Sequence, residues 1–75
     1  MKFTILGAGN TGKAYSAYLT SLGHQVILYD RDPRRLAPVA DHGIQATGAV
    51  NGTFSVPVTD QIGQAVDSDV ILVCT

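Results

Sequence analysis

Three glycines near the start of the chain carry the clearest chemical signal. Gly7, Gly9 and Gly12 stand at the spacing G-x-G-x-x-G inside "FTILGAGNTGKAY". A glycine at the first position lets a chain turn sharply. At the second it lets backbone approach a ligand, and at the third it lets a helix pack close to a strand. Ala8, Asn10 and Thr11 complete the turn. A helix beginning there presents unpaired N–H groups and the positive end of its dipole, a place for a pyrophosphate. Asp30 lies twenty-three residues after Gly7. A carboxylate at that distance accepts hydrogen bonds from ribose hydroxyls and repels a 2′-phosphate. Arg31 beside it pulls the other way, since a guanidinium pairs with phosphate or lies over an aromatic ring. The residues therefore point to a bound dinucleotide, with NAD preferred and NADP admitted by Arg31.

The glycine pattern carries weight only between a strand and a helix. Phe3 to Leu6 is a short apolar run with a β-branched character, which predicts a buried strand. Asn10 to Leu22 follows, with Ala14, Tyr15, Tyr18, Leu19 and Leu22 at spacings of three and four. That spacing predicts a helix whose apolar face is core, ended by Gly23. "QVILYD" predicts a second strand covered on both faces. Strand, helix and strand over about thirty residues form a right-handed βαβ unit with parallel strands. Asp32 and Pro33 suit the cap and first position of a second helix, short or kinked because of Pro38. Asn51-Gly52 predicts a two-residue hairpin turn between a third strand from near Ile44 and an antiparallel arm over residues 53–58. Pro57 places that arm at an edge. Thr59 or Asp60 caps a short helix to about Val66, with Ile62, Ala65 and Val66 facing inward. "DVILVC" is a last, apolar strand.

The expected fold is α/β: a partial Rossmann fold, a parallel sheet with a glycine-rich βαβ turn and an inserted β-hairpin. Ligands of such sheets gather at the carboxyl ends of the strands. Cys74 and Thr75 end the last strand, so their backbone is expected to border the dinucleotide. The full set of expected cofactor-binding residues is Gly7, Ala8, Gly9, Asn10, Thr11, Gly12, Asp30, Arg31, Cys74 and Thr75. Other chemistry-bearing residues read as ordinary. His24 is a turn residue, His42 suits a helix end, and the Cys74 thiol is a small packed side chain. No Cys/His spacing suggests a metal, and no catalytic residue is assigned.

Composition adds boundaries. Seventy-five residues make at most one small domain. A net charge of −1 with 15% charged residues gives no basic surface for nucleic acid. One cysteine excludes an intrachain disulfide framework. The N-terminal apolar run is too short to span a membrane and leads directly into the glycine turn, unlike a secretory signal. A cytoplasmic protein is expected. An unpaired apolar last strand is a template for association, so the chain alone is expected to be marginally soluble or a homo-oligomer.

The stretch "ILGAGNTGKAYSAYLTSLGHQVILYDRDPRRL", the hairpin and "VTDQIGQAVDSDVILVCT" resemble the N-terminal part of the octopine/nopaline (opine) dehydrogenases. The likeness extends to ketopantoate reductases and the wider 6-phosphogluconate dehydrogenase-like superfamily. Asn10 in "GAGNTG" and the "TDQIGQAV" segment favour the opine branch. Ketopantoate reductases usually carry a basic residue without an acid where Asp30 stands. The resemblance implies that residues 1–75 are the N-terminal half of an NAD(P)-binding Rossmann domain, with the rest of that domain and a C-terminal substrate domain absent. It implies an oxidoreductase that reduces the imine of a 2-keto acid and an amino acid. The catalytic groups of that reaction match no residue here, so this chain alone is expected not to be catalytic. Two alternatives accompany it: a ketopantoate reductase-like 2-keto acid reductase, and a non-catalytic nucleotide sensor of a potassium channel or transporter, whose domains often read "DRDP" after the second strand.

Overall fold

A computed structural model describes residues 1–48, 50–65 and 67–74. The strand β1 (Lys2–Leu6) leads through the glycine turn into helix α1 (Asn10–Ser21), then strand β2 (Gln25–Tyr29) and helix α2 (Pro33–His42). Strands β3 (Ile44–Ala46) and β4 (Gly52–Phe54) follow, then β5 (Val58–Thr59), the single-turn helix α3 (Ile62–Ala65) and β6 (Val70–Val73). Strands β5, β2, β1 and β6 form one parallel sheet in that order. Strands β3 and β4 pair antiparallel as a separate ribbon. This is the partial Rossmann arrangement with an inserted hairpin that the sequence predicts.

One face of the sheet holds the core. Ile5, Val26 and Leu28 cluster there with Ala17 and Leu19 of α1, Leu36 and Val39 of α2, Ile44 of β3 and Val56. On the opposite face α3 packs against β2 and β5. Thr4 is fully buried in the middle of β1, and its hydroxyl donates to the Ala65 carbonyl and contacts Ser68 Oγ at 2.9 Å. A buried hydroxyl needs such a partner, and this one ties the α3–β6 connection to the sheet.

Helix α1 departs from its expected orientation. Its buried residues are Gly12, Ser16, Ala17 and Leu19. Tyr15, Tyr18 and Leu22, expected in the core, are half exposed, and Ala14 is exposed. Close packing at Gly12 sets the rotation. A Cβ at Gly12 would lie 1.9 Å from the Gly7 carbonyl oxygen, so only glycine can face the turn there. Ser16 and Leu19 follow Gly12 at helical spacing and take the sheet side. Ser16 is tolerated in the core because its hydroxyl donates to the Gly12 carbonyl at 2.8 Å.

The hairpin segment differs in register. The third strand of the main sheet is β5, not the run from Ile44, and the antiparallel arm ends at Phe54 rather than near Val58. Asn51-Gly52 is not a two-residue turn. Ala46 pairs with Gly52 across a five-residue connection, in which the Asn51 side chain accepts from the Gly48 N–H and donates to the Gly48 carbonyl. The side-chain amide replaces backbone bonds that a tight turn would supply. Pro57, expected in the antiparallel arm, lies outside it, just before β5 at the edge of the parallel sheet, and its carbonyl accepts from Leu28 N–H. Helix α2 runs ten residues through Pro38. Thr59 Oγ1 accepts from Gln61 N–H at the start of α3; Ala65 is buried but Ile62 is half exposed. The expectation for Val66 lies outside the described residues.

Candidate functional site

The carboxyl ends of β1, β2 and β6 meet at the glycine turn. Gly7 N–H donates to the Tyr29 carbonyl, and Cys74 N–H to the Leu6 carbonyl, both at 2.8 Å. Gly7 takes φ +115°, a conformation in which a side chain would be strained. Gly12 seats α1 directly on the turn. Gly9, the N-cap of α1, behaves differently: a Cβ built on it meets nothing within 4 Å. Gly9 is therefore not required by packing, and its open side faces two adjoining clefts.

The first cleft, about 600 Å³, is lined by Gly7, Gly9, Asp30, Arg31, Arg35 and Cys74 among others. The second, about 450 Å³, is lined by Gly9, Asn10, Thr11, Tyr15, Val73 and Cys74. Gly9, Val73 and Cys74 belong to both. The structure thus gathers Gly7, Gly9, Asn10, Thr11, Asp30, Arg31 and Cys74 around a hollow made of two clefts that share Gly9, Val73 and Cys74. Ala8 is buried behind it and Gly12 lies beneath it. Thr75 lies outside the described residues. A groove of about 610 Å³ between α1, the end of α2 and the hairpin shares Asn10 with this hollow but none of the turn's glycines.

Electrostatics at the hollow favour an anion on one side and a polar hydroxyl group on the other. Helix α1 has no side-chain cap and no acidic residue in its first turn, so its leading N–H groups and dipole face the cleft uncompensated. Asp30 is 7% exposed. Its Oδ2 accepts from Ala8 N–H and its Oδ1 from Asp32 N–H, both at 2.9 Å. Burial works to raise its carboxyl, but those two donors and the Arg35 guanidinium outweigh it and hold the group below its ordinary value of 3.8. Asp30 therefore stays ionised and fixes the turn to the end of β2 while facing the cleft. Asp32 caps α2 by accepting from Arg34 N–H at 3.0 Å.

Leu6, Tyr15, Tyr29, Asp32, Arg35 and Val73 also line the clefts and lay outside the expected set; Arg35 and Tyr15 matter most for the site. Arg35 approaches Asp30 with Nη1 3.8 Å from Oδ2. Its position five residues after Asp30, one turn into a helix opened by Asp32-Pro33, is the signal that places it there. Tyr15, expected in the core, lines the second cleft instead. The packed Gly12 was the clue to that rotation.

Comparison with known proteins bears on this geometry. Residues 3–75 match the family described as "Ketopantoate reductase PanE/ApbA". The chain belongs to that family. Three known proteins are similar to the chain. An opine dehydrogenase of Arthrobacter sp. (strain 1C) is 36% identical over 75 residues, covering 95% of this chain and 21% of the dehydrogenase. A glycerol-3-phosphate dehydrogenase (NAD(P)+) of Cupriavidus metallidurans is 45% identical over 49 residues, covering 63% of this chain and 14% of that protein. Among solved structures, D-mandelate dehydrogenase in complex with NADH superposes with a TM-score of 0.75 at 28% identity, over all of this chain and 23% of that one. The chain spans about a fifth of the length of the opine dehydrogenase and the mandelate dehydrogenase. Asp30, an acid, directly follows β2 in this family member. No helix among the described residues is long and apolar enough to cross a membrane.

Proposed function

We propose that this chain is the NAD(P)-binding portion of an oxidoreductase, and that the cofactor lies across the hollow at the glycine turn. The observation that carries the reading is the contrast between Gly12 and Gly9. Gly12 is demanded by the protein's own packing, whereas Gly9 leaves open space beside uncapped helix N–H groups. That space suits a pyrophosphate. Asn10 and Thr11 N–H groups would hold its oxygens, Asp30 the adenosine ribose, and Cys74 backbone would border the chain of the cofactor. When bound, the nicotinamide would supply hydride; these residues would hold the adenosine and pyrophosphate of the cofactor. The solved relative with NADH and the NAD(P)+-named relative support the cofactor assignment.

For the reaction, the opine dehydrogenase likeness over 95% of the chain favours reduction of the imine formed from a 2-keto acid and an amino acid. A second reading, a 2-keto acid reductase of the ketopantoate type, is favoured by the family match over residues 3–75. The sensor alternative receives no such support from the relatives found. The test is NADH and NADPH absorbance in the intact parent oxidoreductase that this reading implies, with mixed 2-keto acids, with and without mixed amino acids. Oxidation that requires both substrates supports the opine-type reaction. Oxidation with the keto acid alone replaces it with the second reading, and binding of NADH without any turnover favours the sensor.

A further inference from the structure

The groove of about 610 Å³ between α1, the end of α2 and the hairpin has no part in the chemistry of the glycine turn. Its floor is apolar and buried: Ala17 of α1, Val39 of α2 and Ile44 of β3. Ala14 and Ala17 are small, which leaves room beside the longer Lys13 and Tyr18. Local structure holds the walls in place. Gly43 takes φ +72°, and a Cβ there would stand 2.8 Å from the Phe54 carbonyl oxygen, so the end of α2 is seated directly on β4. The Asn51 amide closes the hairpin loop through its two bonds to Gly48. Thr47 and Val50 of that loop line the groove.

Charge at the groove is one-sided. Lys13 and His42 line it, and no aspartate or glutamate among the described residues does. Lys13 is partly buried and enters no ion pair among the described residues, whereas Lys2, Arg34 and Arg35 each face an aspartate. Neither Lys13 nor His42 lines the two clefts at the glycine turn. A lysine ammonium is a compact point charge with three donors. One such cation beside an apolar floor suits a single carboxylate on an apolar body, whereas a phosphate calls for more cations or an arginine fork. The volume falls in the range of small-molecule sites, about 300–1,000 Å³. We infer that this groove binds a small monocarboxylate with an apolar tail, its carboxylate on Lys13 and its tail on Ala17, Val39 and Ile44. The site is separate from the dinucleotide hollow and does not depend on it. The His42 imidazole and the Asn10 amide line the same groove as further donors.

Hexanoate, hexanol and hexylamine share one tail and differ in the head group, so their relative affinities isolate the charge contact. Each is titrated into the protein, and binding is read from the backbone amide shifts of Lys13, Ala17 and Ile44 by NMR. All three probes meet the same sample, so partial misfolding of a variant cancels in their ratio. Hexanoate should bind about tenfold tighter than hexanol, as one charge-assisted contact provides, and hexylamine should bind most weakly. Lys13→Gln should bring hexanoate down to the level of hexanol. Lys13→Arg should keep most of the difference, because the charge survives. Arg35→Gln, at the other hollow, should leave it unchanged. Equal binding of hexanoate and hexanol to the unaltered protein overturns the inference and points to an apolar face for a protein partner. A loss in Arg35→Gln equal to that in Lys13→Gln, or shifts confined to Gly9 and Cys74, places the acid at the glycine turn and overturns it too. Absence of any hexanoate shift in protein with a dispersed, folded amide spectrum overturns it outright.

Discussion

Replacing Gly9 and Gly12 separately by alanine tests whether the glycine turn is shaped for packing or for a ligand. At Gly12 the added Cβ would stand 1.9 Å from the Gly7 carbonyl oxygen, and 3.1 Å from its carbon. Relief requires the helix to retreat from the turn by roughly 1 Å, in a region packed like a solid. Overpacking of this kind costs about 1–3 kcal/mol, and the clash with fixed backbone puts Gly12→Ala at the upper end. Alanine's better helix propensity returns about 1 kcal/mol, leaving a net loss of about 2 kcal/mol. At Gly9 the backbone has φ −76° and ψ −173°, which alanine adopts freely. Alanine is the poorer N-cap by a loss of about 0.5–1 kcal/mol. Restricting the unfolded chain contributes about 0.4–1 kcal/mol in the other direction. Gly9→Ala should therefore fold with nearly unchanged stability, while its Cβ occupies the path of the pyrophosphate and weakens NADH binding by at least about tenfold, roughly 1.4 kcal/mol. Denaturant unfolding and NADH titration of the full chain read the two effects independently. Equal destabilisation by both substitutions, or full NADH affinity in Gly9→Ala, would refute the assignment of Gly9 to a ligand.

The remaining expectations concern Asp30, Thr4 and the hairpin. The folded carboxyl of Asp30 lies below 3.8, so its stabilising contribution is complete above that value and is lost as pH falls through the folded pKa. Acid unfolding of Asp30→Asn should accordingly be less steep below about pH 4 than that of the unaltered protein; parallel acid curves would show that the carboxylate does not clamp the turn. Thr4→Val keeps the shape of a fully buried side chain but removes the donor to the Ala65 carbonyl. It should cost about 1–3 kcal/mol, read by denaturant midpoint, with Thr4→Ser losing less. Asn51→Ala removes both bonds to Gly48 at an exposed site. Its cost should stay within about 1 kcal/mol, with amide exchange quickening in β3 and β4 more than in β1 and β2.

Much of the molecule was legible in its residues. The spacing of Gly7, Gly9 and Gly12, the apolar runs around them and Asp30 at the end of "QVILYD" specify a βαβ unit and its ligand-facing end, because each signal is local. Strand β5 was hidden for the opposite reason. Two residues, Val58 and Thr59, pair with Leu28 and Tyr29, and nothing in so short a run distinguishes a sheet strand from a hairpin arm. The rotation of α1 was also beyond periodicity alone. Its tyrosines and Leu22 form an apolar stripe as convincing as the true one, and only the contact of Gly12 with the Gly7 carbonyl decides which stripe is buried. The division of labour among Arg31, Arg34 and Arg35 belongs wholly to tertiary structure. Sequence places three like charges within five residues; the direction of α2 and the Asp32 cap determine that one is tied to its own helix and another is brought to Asp30. Local chemistry thus identified the turn and the acid, while close packing around one glycine and the course of one helix decided what surrounds them.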